Sequence, residues 1–199
     1  MNLVTGATGL VGTHVLLTLL QQGKKVVATK RATSNLAEVE KVFSYYTSDS
    51  KKLFSQIVWR DVDLNDVLSL DELLNEITAV YHCAALVSLN NSDRNELLKV
   101  NVEGTANLVN ACIDKKIESF CFVSSIATIQ NQDIKTDLDE NVLWKSKPNE
   151  NVYSLSKYLA EQEVWRGMEE GLNVVIVNPG VIVGPGNWDR GTGKLFSLS

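Results

Sequence analysis

Residues 6–12 read Gly-Ala-Thr-Gly-Leu-Val-Gly, and this stretch decides the fold. A short apolar run, Asn2 to Thr5, precedes it, and a helical period over Thr13 to Gln22 follows it. Glycines at this spacing permit a tight turn, a close approach of the backbone to a ligand, and close packing of the helix on the strand. The amides at the start of such a helix attract phosphate groups. The stretch therefore predicts a turn that binds a dinucleotide pyrophosphate, with a plain turn as the alternative. The residues predicted to form it are Gly6, Thr8, Gly9, Leu10, Val11 and Gly12.

Strand-like and helix-like segments alternate along the rest of the chain. Strands are predicted at Asn2–Thr5, Val26–Thr29, Ile57–Trp59, Val80–Ala84, Phe120–Ser124 and Val174–Val177. Helices are predicted at Thr13–Gln22, Ala37–Phe43, Val67–Ile77, Asp93–Asp114 and Tyr153–Glu170. Helical segments between strands require crossover connections, so the strands are expected to be parallel and the sheet covered on both faces. The predicted fold class is α/β, a doubly wound parallel sheet of the Rossmann type.

The end of the second strand carries two adjacent cations, Lys30 and Arg31. A site for NAD generally places an acidic residue here, where it binds the ribose hydroxyls. Two cations suit a 2′-phosphate instead, and a guanidinium can bind it through two hydrogen bonds. We therefore predict NADP as the cofactor. NAD stays possible if the two cations are only a solvated surface pair.

Two further strand ends are predicted to contact the cofactor. Asp63 follows the third strand and is placed to accept a hydrogen bond from an adenine amino group, although a helix cap competes as an explanation and Asp66 is equally available for that cap. Ala84 and Ala85 follow the fourth strand, and their small side chains would let the backbone run flat along the cofactor. His82 lies inside an apolar strand and is interpreted as a core histidine with satisfied hydrogen bonds.

Tyr153 and Lys157 are spaced one helical turn apart. A phenol with a pKa near 10 is a poor acid or base at neutral pH. A nearby ammonium stabilises the phenolate and lowers that pKa, and it can also bind a ribose. Ser124 and Ser125, at the end of the fifth strand, offer a hydroxyl that would hold a substrate oxygen.

These segments together resemble the extended short-chain dehydrogenase/reductases, the superfamily of nucleotide-sugar epimerases, dihydroflavonol reductases and 3β-hydroxysteroid dehydrogenases. The matching segments, in the family's order, are 6–12, 63–64, 82–85, 101–105, 124–125, 153–157 and 178–186. Arg31, followed by Ala-Thr-Ser-Asn, resembles the dihydroflavonol-reductase branch, in which an arginine at this place holds the NADP phosphate.

The resemblance implies a role for each matching residue. Tyr153 would be the general acid/base, Lys157 would lower its pKa, and Ser125 would orient the substrate carbonyl. The other cofactor contacts that it implies are Leu64, Ala84, Ala85, Asn101, Ser124, Pro179, Gly180 and Ile182. The expected activity is hydride transfer between NADP and a ketone or secondary alcohol. The alternatives are a nucleotide-sugar epimerase or dehydratase that retains NAD, and an NADP-sensing protein without catalysis.

Two departures from the family pattern bear on the function. Epimerases of this superfamily often place the substrate-orienting hydroxyl where this chain has Ile126, which favours a reductase alignment on Ser125, with Thr128 as a fallback. Family members are also considerably longer. Residues 1–183 are therefore assigned to the cofactor-binding domain, and 184–199 to the start of a substrate-binding domain that is expected to be largely missing.

Composition excludes several other classes of protein. The net charge of −5 argues against nonspecific nucleic-acid binding, and no metal site is predicted. The three cysteines lie in apolar stretches without paired spacing and are expected to be reduced. Met1 precedes a strand directly, so no signal peptide is expected, and no apolar run is long enough to span a bilayer. A cytoplasmic protein is therefore expected. The resemblance implies a homodimer through helices 93–114 and 153–170.

The substrate itself is not predicted. Trp144, Trp188 and Asn90 could contact it or could be surface packing, and the long polar stretch 130–151 is expected to be a functional or mobile loop.

Overall fold

Parallel strands alternate with helices in the computed structural model, which describes residues 1–88, 90–129, 144 and 151–186. The strands are β1 (Asn2–Thr5), β2 (Val26–Lys30), β3 (Val58–Asp61), β4 (Ala79–His82), β5 (Ser119–Val123) and β6 (Val174–Val177). The helices are α1 (Leu10–Gln21), α2 (Leu36–Ser44), α3 (Ser50–Phe54), α4 (Val67–Leu73), α5 (Arg94–Leu97), α6 (Gly104–Asp114) and α7 (Val152–Glu169).

The described strands form one six-stranded parallel sheet in the order β3-β2-β1-β4-β5-β6, which confirms the predicted fold class. The order reverses between β1 and β4, and in sheets of this kind ligands bind outside the carboxyl ends of the strands at that crevice. All strand ends that carry predicted site residues therefore lie at one edge of the sheet.

The core divides into two layers, one on each face of the sheet. Leu16, Leu20 and Phe43 of α1 and α2 pack on one face against β1 and β2. Leu108 and Val164 of α6 and α7 belong to the cluster on the other face, with β4 and β5. Because β1 and β2 contribute to both clusters, their side chains are apolar at successive positions, as expected for a strand buried on both faces.

Coverage of the sheet differs from the prediction at β6. Val175 and Val177 are 58% and 41% exposed, so the described helices cover only one face of this strand. The face left open adjoins α1, where an apolar cavity of about 490 Å³ is lined by Leu10, Val15, Tyr81 and Ile182 among others. The described parts of the chain contain no helix that is long and apolar enough to span a membrane.

The helical segment predicted at Asp93–Asp114 is continuous but not regular. Residues Leu98–Glu103, between α5 and α6, form π-helical turns. A π-helical turn is rare and is frequently found at functional sites. The sequence periodicity, which was compatible with one long α-helix, did not predict it. A second unpredicted element is the short helix α3.

Candidate active site

The glycine-rich turn has the conformation that the sequence predicts. Gly6 has a φ of +61°, and a Cβ there would lie 2.6 Å from the backbone of Ala84. A Cβ on Gly12 would lie 2.2 Å from the carbonyl oxygen of Gly6. Gly9 differs, because a Cβ there would contact only that same oxygen, at 3.3 Å, and would otherwise point into open space. Two of the glycines are thus required by the fold, whereas Gly9 leaves a space that a ligand can approach.

The N-terminus of α1 is suited to an anion. Gly9 is its N-cap, no side chain caps the free amides, and the first turn has no acidic residue. Unpaired helix amides and the helix dipole together favour phosphate. Thr8, Leu10 and Val11 lie in or beside this turn, and the side chain of Leu10 lies where a Cβ added to Gly184 or Gly186 would meet it.

The two cations at the end of β2, Lys30 and Arg31, have different surroundings. Lys30 forms an ion pair with Asp61 of β3, with 3.4 Å between Nζ and Oδ2, because the parallel register sets these two residues opposite each other. Arg31 is exposed. Its amide donates to the hydroxyl of Ser34 at 3.0 Å, and that hydroxyl lies 3.5 Å from Oγ1 of Thr8. Arg31 therefore begins a closed turn, 31–34, beside the glycine-rich turn, and it is exposed to solvent.

The third strand end resolves the question of the helix cap. Asp66 is the N-cap of α4 and accepts a hydrogen bond from the amide of Ser69. Asp63 is exposed, and its carboxylate accepts hydrogen bonds from the amide and the side chain of Asn65. Asp63 is thus not the helix cap. Leu64 is half-buried, and its carbonyl accepts a hydrogen bond from Asn107.

His82 is a buried core histidine, as predicted. Thr105 donates its one hydroxyl hydrogen to the carbonyl of Asn101, at 2.6 Å, so Nε2 of His82 must be the donor in its 2.9 Å contact with Thr105. Nδ1 then accepts from the hydroxyl of Thr5 at 2.6 Å. Burial, aided by the charge of Lys157, lowers the pKa of His82 to about 3. The ring is therefore neutral and has a fixed tautomer.

Asn101 lies in the π-helical turns, and its side chain forms hydrogen bonds to other parts of the protein. Its side chain accepts from the amide of Leu86 at 2.7 Å and donates to the carbonyl of Leu86 and the hydroxyl of Ser156, both at 2.9 Å. Both amide hydrogens are thereby engaged. Asn101 thereby braces the segment after Ala84 and Ala85 against α7, and the cofactor contact that the resemblance implied for it stays a prediction.

Tyr153 and Lys157 lie on α7, whose first turn is capped by Asn151. Lys157 is 1% exposed, donates from Nζ to the carbonyl of Val123 at 2.9 Å, and lies 4.2 Å above the ring of Phe122. Burial lowers the pKa of Lys157 to about 8, while the negative charge of Glu161 opposes that shift. The lysine is thus directed at the end of β5, next to Ser124 and Ser125.

The surroundings of Tyr153 affect the pKa of its phenol. Burial raises this pKa above its ordinary value, and a hydrogen bond with the side chain of Ser125 partly offsets the rise. The lowering of this pKa by Lys157, which the family resemblance implies, stays a prediction. In the protein alone Tyr153 is therefore protonated at neutral pH and close to Ser125.

Ser124 is 5% exposed, and its hydroxyl has no hydrogen-bond partner within the described parts of the chain. A buried polar group without a partner is costly and calls for an explanation. Together with the glycine cradle and the uncapped amides of α1, this hydroxyl fits a dinucleotide that lies along the carboxyl edge of the sheet. Pro179 and Ile182 are half-buried near this edge, and Gly180 is exposed. The described residues contain no cluster of three or more metal-ligating side chains.

Sequence comparison is consistent with this geometry. The sequence model of the NAD dependent epimerase/dehydratase family matches residues 2–198. The chain belongs to this family. It is thus a member of the extended short-chain dehydrogenase/reductase superfamily.

Two curated relatives are dihydroflavonol reductases by name. The chain is 35% identical to a putative dihydroflavonol 4-reductase of Synechocystis sp., over 94% of this chain and 50% of the relative. It is 31% identical to dihydroflavonol 4-reductase of Arabidopsis thaliana, over 92% and 49%. The chain thus spans about half the length of these relatives.

A solved structure of a family relative is also similar. It is a short-chain dehydrogenase/reductase superfamily protein from Agrobacterium tumefaciens with bound NAD. The TM-score is 0.68 at 26% identity, covering 89% of this chain and 48% of the other.

The structure describes two of the three residues for which substrate contact and surface packing were both left open. Trp144 stacks on Tyr158 of α7, with ring centroids 4.4 Å apart and an interplanar angle of 7°, so in this structure it packs against the protein. The amide of Asn90 donates to the hydroxyl of Ser88. Trp188 lies outside the described residues, as do most of the residues of the 130–151 stretch.

Sequence reasoning missed Glu161 of α7 and its contacts with two other segments. Glu161 lies one turn beyond Lys157 and contacts Thr128 and Asn178. The available signal was a carboxylate four residues after Lys157, on the same helical face as Tyr153.

Proposed function

We propose that this chain provides the cofactor-binding and catalytic residues of an NADP-dependent oxidoreductase that acts on a ketone or a secondary alcohol. The observation that carries this proposal is the convergence of Tyr153, Lys157 and Ser125 at the carboxyl edge of the sheet, beside the glycine-rich turn. The names of the Synechocystis and Arabidopsis relatives support a reductase. The proposal names the class of substrate, a carbonyl compound or the corresponding alcohol, and no individual compound.

In this proposal each side chain has one task. The amides at the start of α1 hold the pyrophosphate, Arg31 holds the 2′-phosphate, and Lys157 holds the nicotinamide ribose. Pro179, Gly180 and Ile182 line the nicotinamide, which supplies or accepts the hydride when it is bound. Ser125 donates a hydrogen bond to the substrate oxygen. Tyr153, protonated in the free protein, donates its proton to that oxygen in the reductive direction.

The cofactor assignment is tested by fluorescence titration with NADPH and with NADH. We expect NADPH to bind at least about tenfold more tightly, which corresponds to about 1.4 kcal/mol. Arg31→Ala should remove that difference, because the exposed guanidinium is the cation left free to bind a 2′-phosphate while Lys30 is paired with Asp61. Lys24→Ala, which removes one charge at the opposite edge of the sheet, is the control and should retain the difference.

Equal or tighter binding of NADH would contradict NADP preference and favour the second candidate, a nucleotide-sugar epimerase or dehydratase that retains NAD. The Lys30–Asp61 ion pair is the observation in its favour, since it removes one of the two cations on which the NADP prediction was based. Absence of binding by both cofactors would contradict both candidates for this chain.

We also propose that the protein forms a homodimer through the helices at 93–114 and 153–170. Trp165 and Met168 are exposed on α7, at 45% and 38%, and a dimer contact would bury them. Analytical ultracentrifugation is expected to show a dimer that Trp165→Glu dissociates. A monomer at micromolar concentration would contradict this proposal.

A further inference from the structure

Glu161 is a buried carboxylate on the helix of Tyr153 and Lys157. It is 9% exposed, one turn beyond Lys157. Its Oε1 accepts a hydrogen bond from Nδ2 of Asn178 at 2.5 Å and lies 3.0 Å from Oγ1 of Thr128. No cation lies within salt-bridge distance among the described residues. A buried carboxylate is unfavourable without compensation, so the position of this one requires a reason.

The two partners of Glu161 belong to two other elements. Thr128 ends the short 3-10 helix Ile126–Thr128 after β5, and its single hydroxyl hydrogen lies between Oε1 of Glu161 and the carbonyl of Ser125, 2.9 Å away. Asn178 follows β6 directly, and its Nδ2 lies 2.9 Å from Oγ1 of Thr128 and 3.4 Å from the Ser125 carbonyl. The carboxylate is thus the point at which the loop of Ser125, the segment after β6 and α7 meet.

A backbone hydrogen bond reinforces the contact between the first two elements. The amide of Ile126 donates to the carbonyl of Pro179 at 2.9 Å. The residue that would orient the substrate oxygen and the residues that would line the nicotinamide are therefore joined to each other, and Glu161 joins both to α7.

We propose that Glu161 is a positioning residue, whose carboxylate fixes the Ser125 loop and the segment after β6 against the helix that carries Tyr153 and Lys157. This inference rests on the proposed function for the catalytic roles of Ser125, Tyr153 and Lys157. The contacts of Glu161 do not depend on that function. Glu161 touches neither the substrate nor the cofactor in this assignment; it acts through Thr128, Asn178 and Lys157.

The charge of Glu161 has a second consequence, at Lys157. The titratable groups that interact electrostatically with Lys157 are Glu161 on α7 and His82 and Cys83 at the end of β4. His82 is neutral, and burial raises the pKa of Cys83 to about 12, so the thiol is neutral as well. Glu161 is thus the anion that opposes the effect of burial on Lys157 and keeps its ammonium charged at neutral pH.

The test uses Glu161→Gln, which retains the side-chain shape and an amide oxygen that can accept the hydrogen bond from Asn178, but removes the charge. The Lys157 protonation equilibrium is followed by NMR on chain labelled with carbon-13 at the lysine Cε, and the Lys157 signal is assigned by its loss in Lys157→Met. We expect its pKa to fall by at least about half a pH unit, because an opposite charge is removed. Glu163→Gln is the matched control: it removes one charge from the same helix, at a partly exposed pair with Arg166, and should leave the Lys157 pKa unchanged.

Kinetics provide the second measurement. Glu161→Gln should lower kcat for carbonyl reduction about tenfold, with KM within about threefold, and should move the alkaline limb of the kcat profile to lower pH. Thr128→Val should also lower kcat, and Thr128→Ser, which restores the hydroxyl, should rescue it. An unchanged Lys157 pKa together with an unchanged kcat in Glu161→Gln would overturn the inference.

The two proposals fail in different ways. If the wild-type chain reduces no carbonyl compound but Glu161→Gln lowers the Lys157 pKa, the proposed function fails and the influence of Glu161 on Lys157 stands. If the wild-type chain turns over and Glu161→Gln alters neither the pKa nor kcat, the proposed function stands and the positioning role fails.

Discussion

Tyr153→Phe is expected to reduce turnover with NADPH and a carbonyl substrate by about 10² to 10⁴-fold, the range typical of a lost general acid. The variant lacks the hydroxyl that would protonate the substrate oxygen but retains the ring and its packing. Cofactor affinity, measured by NADPH fluorescence, should change by less than about threefold. The pKa of Tyr153 is raised by burial, so the wild-type phenol carries its proton at neutral pH.

The matched control is Tyr158→Phe, five residues further along α7. Its ring stacks on Trp144, and the phenylalanine keeps that stack while losing only the hydroxyl. Turnover in this variant should equal that of the wild type. A Tyr153→Phe protein that retains more than a tenth of the wild-type rate would rule out Tyr153 as the general acid. A wild-type chain that reduces none of a panel of aromatic and aliphatic ketones would contradict the reductase itself.

Gly12→Ala is expected to have the largest effect on stability. Its Cβ would lie 2.2 Å from the Gly6 carbonyl oxygen and 2.8 Å from Cα of Ala7, both backbone atoms that no side-chain rotation can move. Overpacking of this kind costs about 3 kcal/mol or more, which lowers Tm by about 6 to 12 °C in a domain of this size. Thermal unfolding followed by circular dichroism measures the change, and cofactor affinity should be lost with the geometry of the turn.

Gly9→Ala separates folding from binding in the same turn. The added Cβ would meet only the Gly6 carbonyl oxygen, at 3.3 Å, so we expect Tm to fall by less than about 3 °C. The methyl group would nevertheless occupy the approach to the pyrophosphate, and NADPH affinity should fall at least about tenfold. If Gly9→Ala bound NADPH as the wild type does, the pyrophosphate would not lie on this turn. If Gly12→Ala were as stable as the wild type, the described packing of α1 on β1 would be wrong.

Local sequence patterns predicted the parts of the site that depend on local geometry. The glycine spacing before α1 predicted the turn, since its strain and its clashes arise within a few residues of Gly6. The four-residue spacing of Tyr153 and Lys157 predicted a shared helical face for the same reason. The alternation of strand-like and helix-like segments predicted the parallel sheet. Some strand limits in the structure differ from those predicted: β2 extends to Lys30, and β4 ends at His82.

Features that depend on the meeting of distant elements could not be read from the sequence. The Lys30–Asp61 ion pair requires the register of β2 and β3. The rise in the pKa of Tyr153 requires the burial of α7. The cluster of Glu161 requires three segments to converge. In each case the sequence contains the residues, but the contacts between them are set by the tertiary structure.

The π-helical turns at Leu98–Glu103 have a consequence for the length of this segment. An α-helix advances by about 100° for each residue, so one residue more or fewer rotates everything beyond it by that angle. Here the wider turns set the phase between Leu97, buried in the core, and Asn101, whose side chain reaches both Leu86 and Ser156. Deleting a single residue would turn α6 away from α7 even if every remaining side chain were retained. The segment thus tolerates changes of composition at its exposed positions more readily than any change of length.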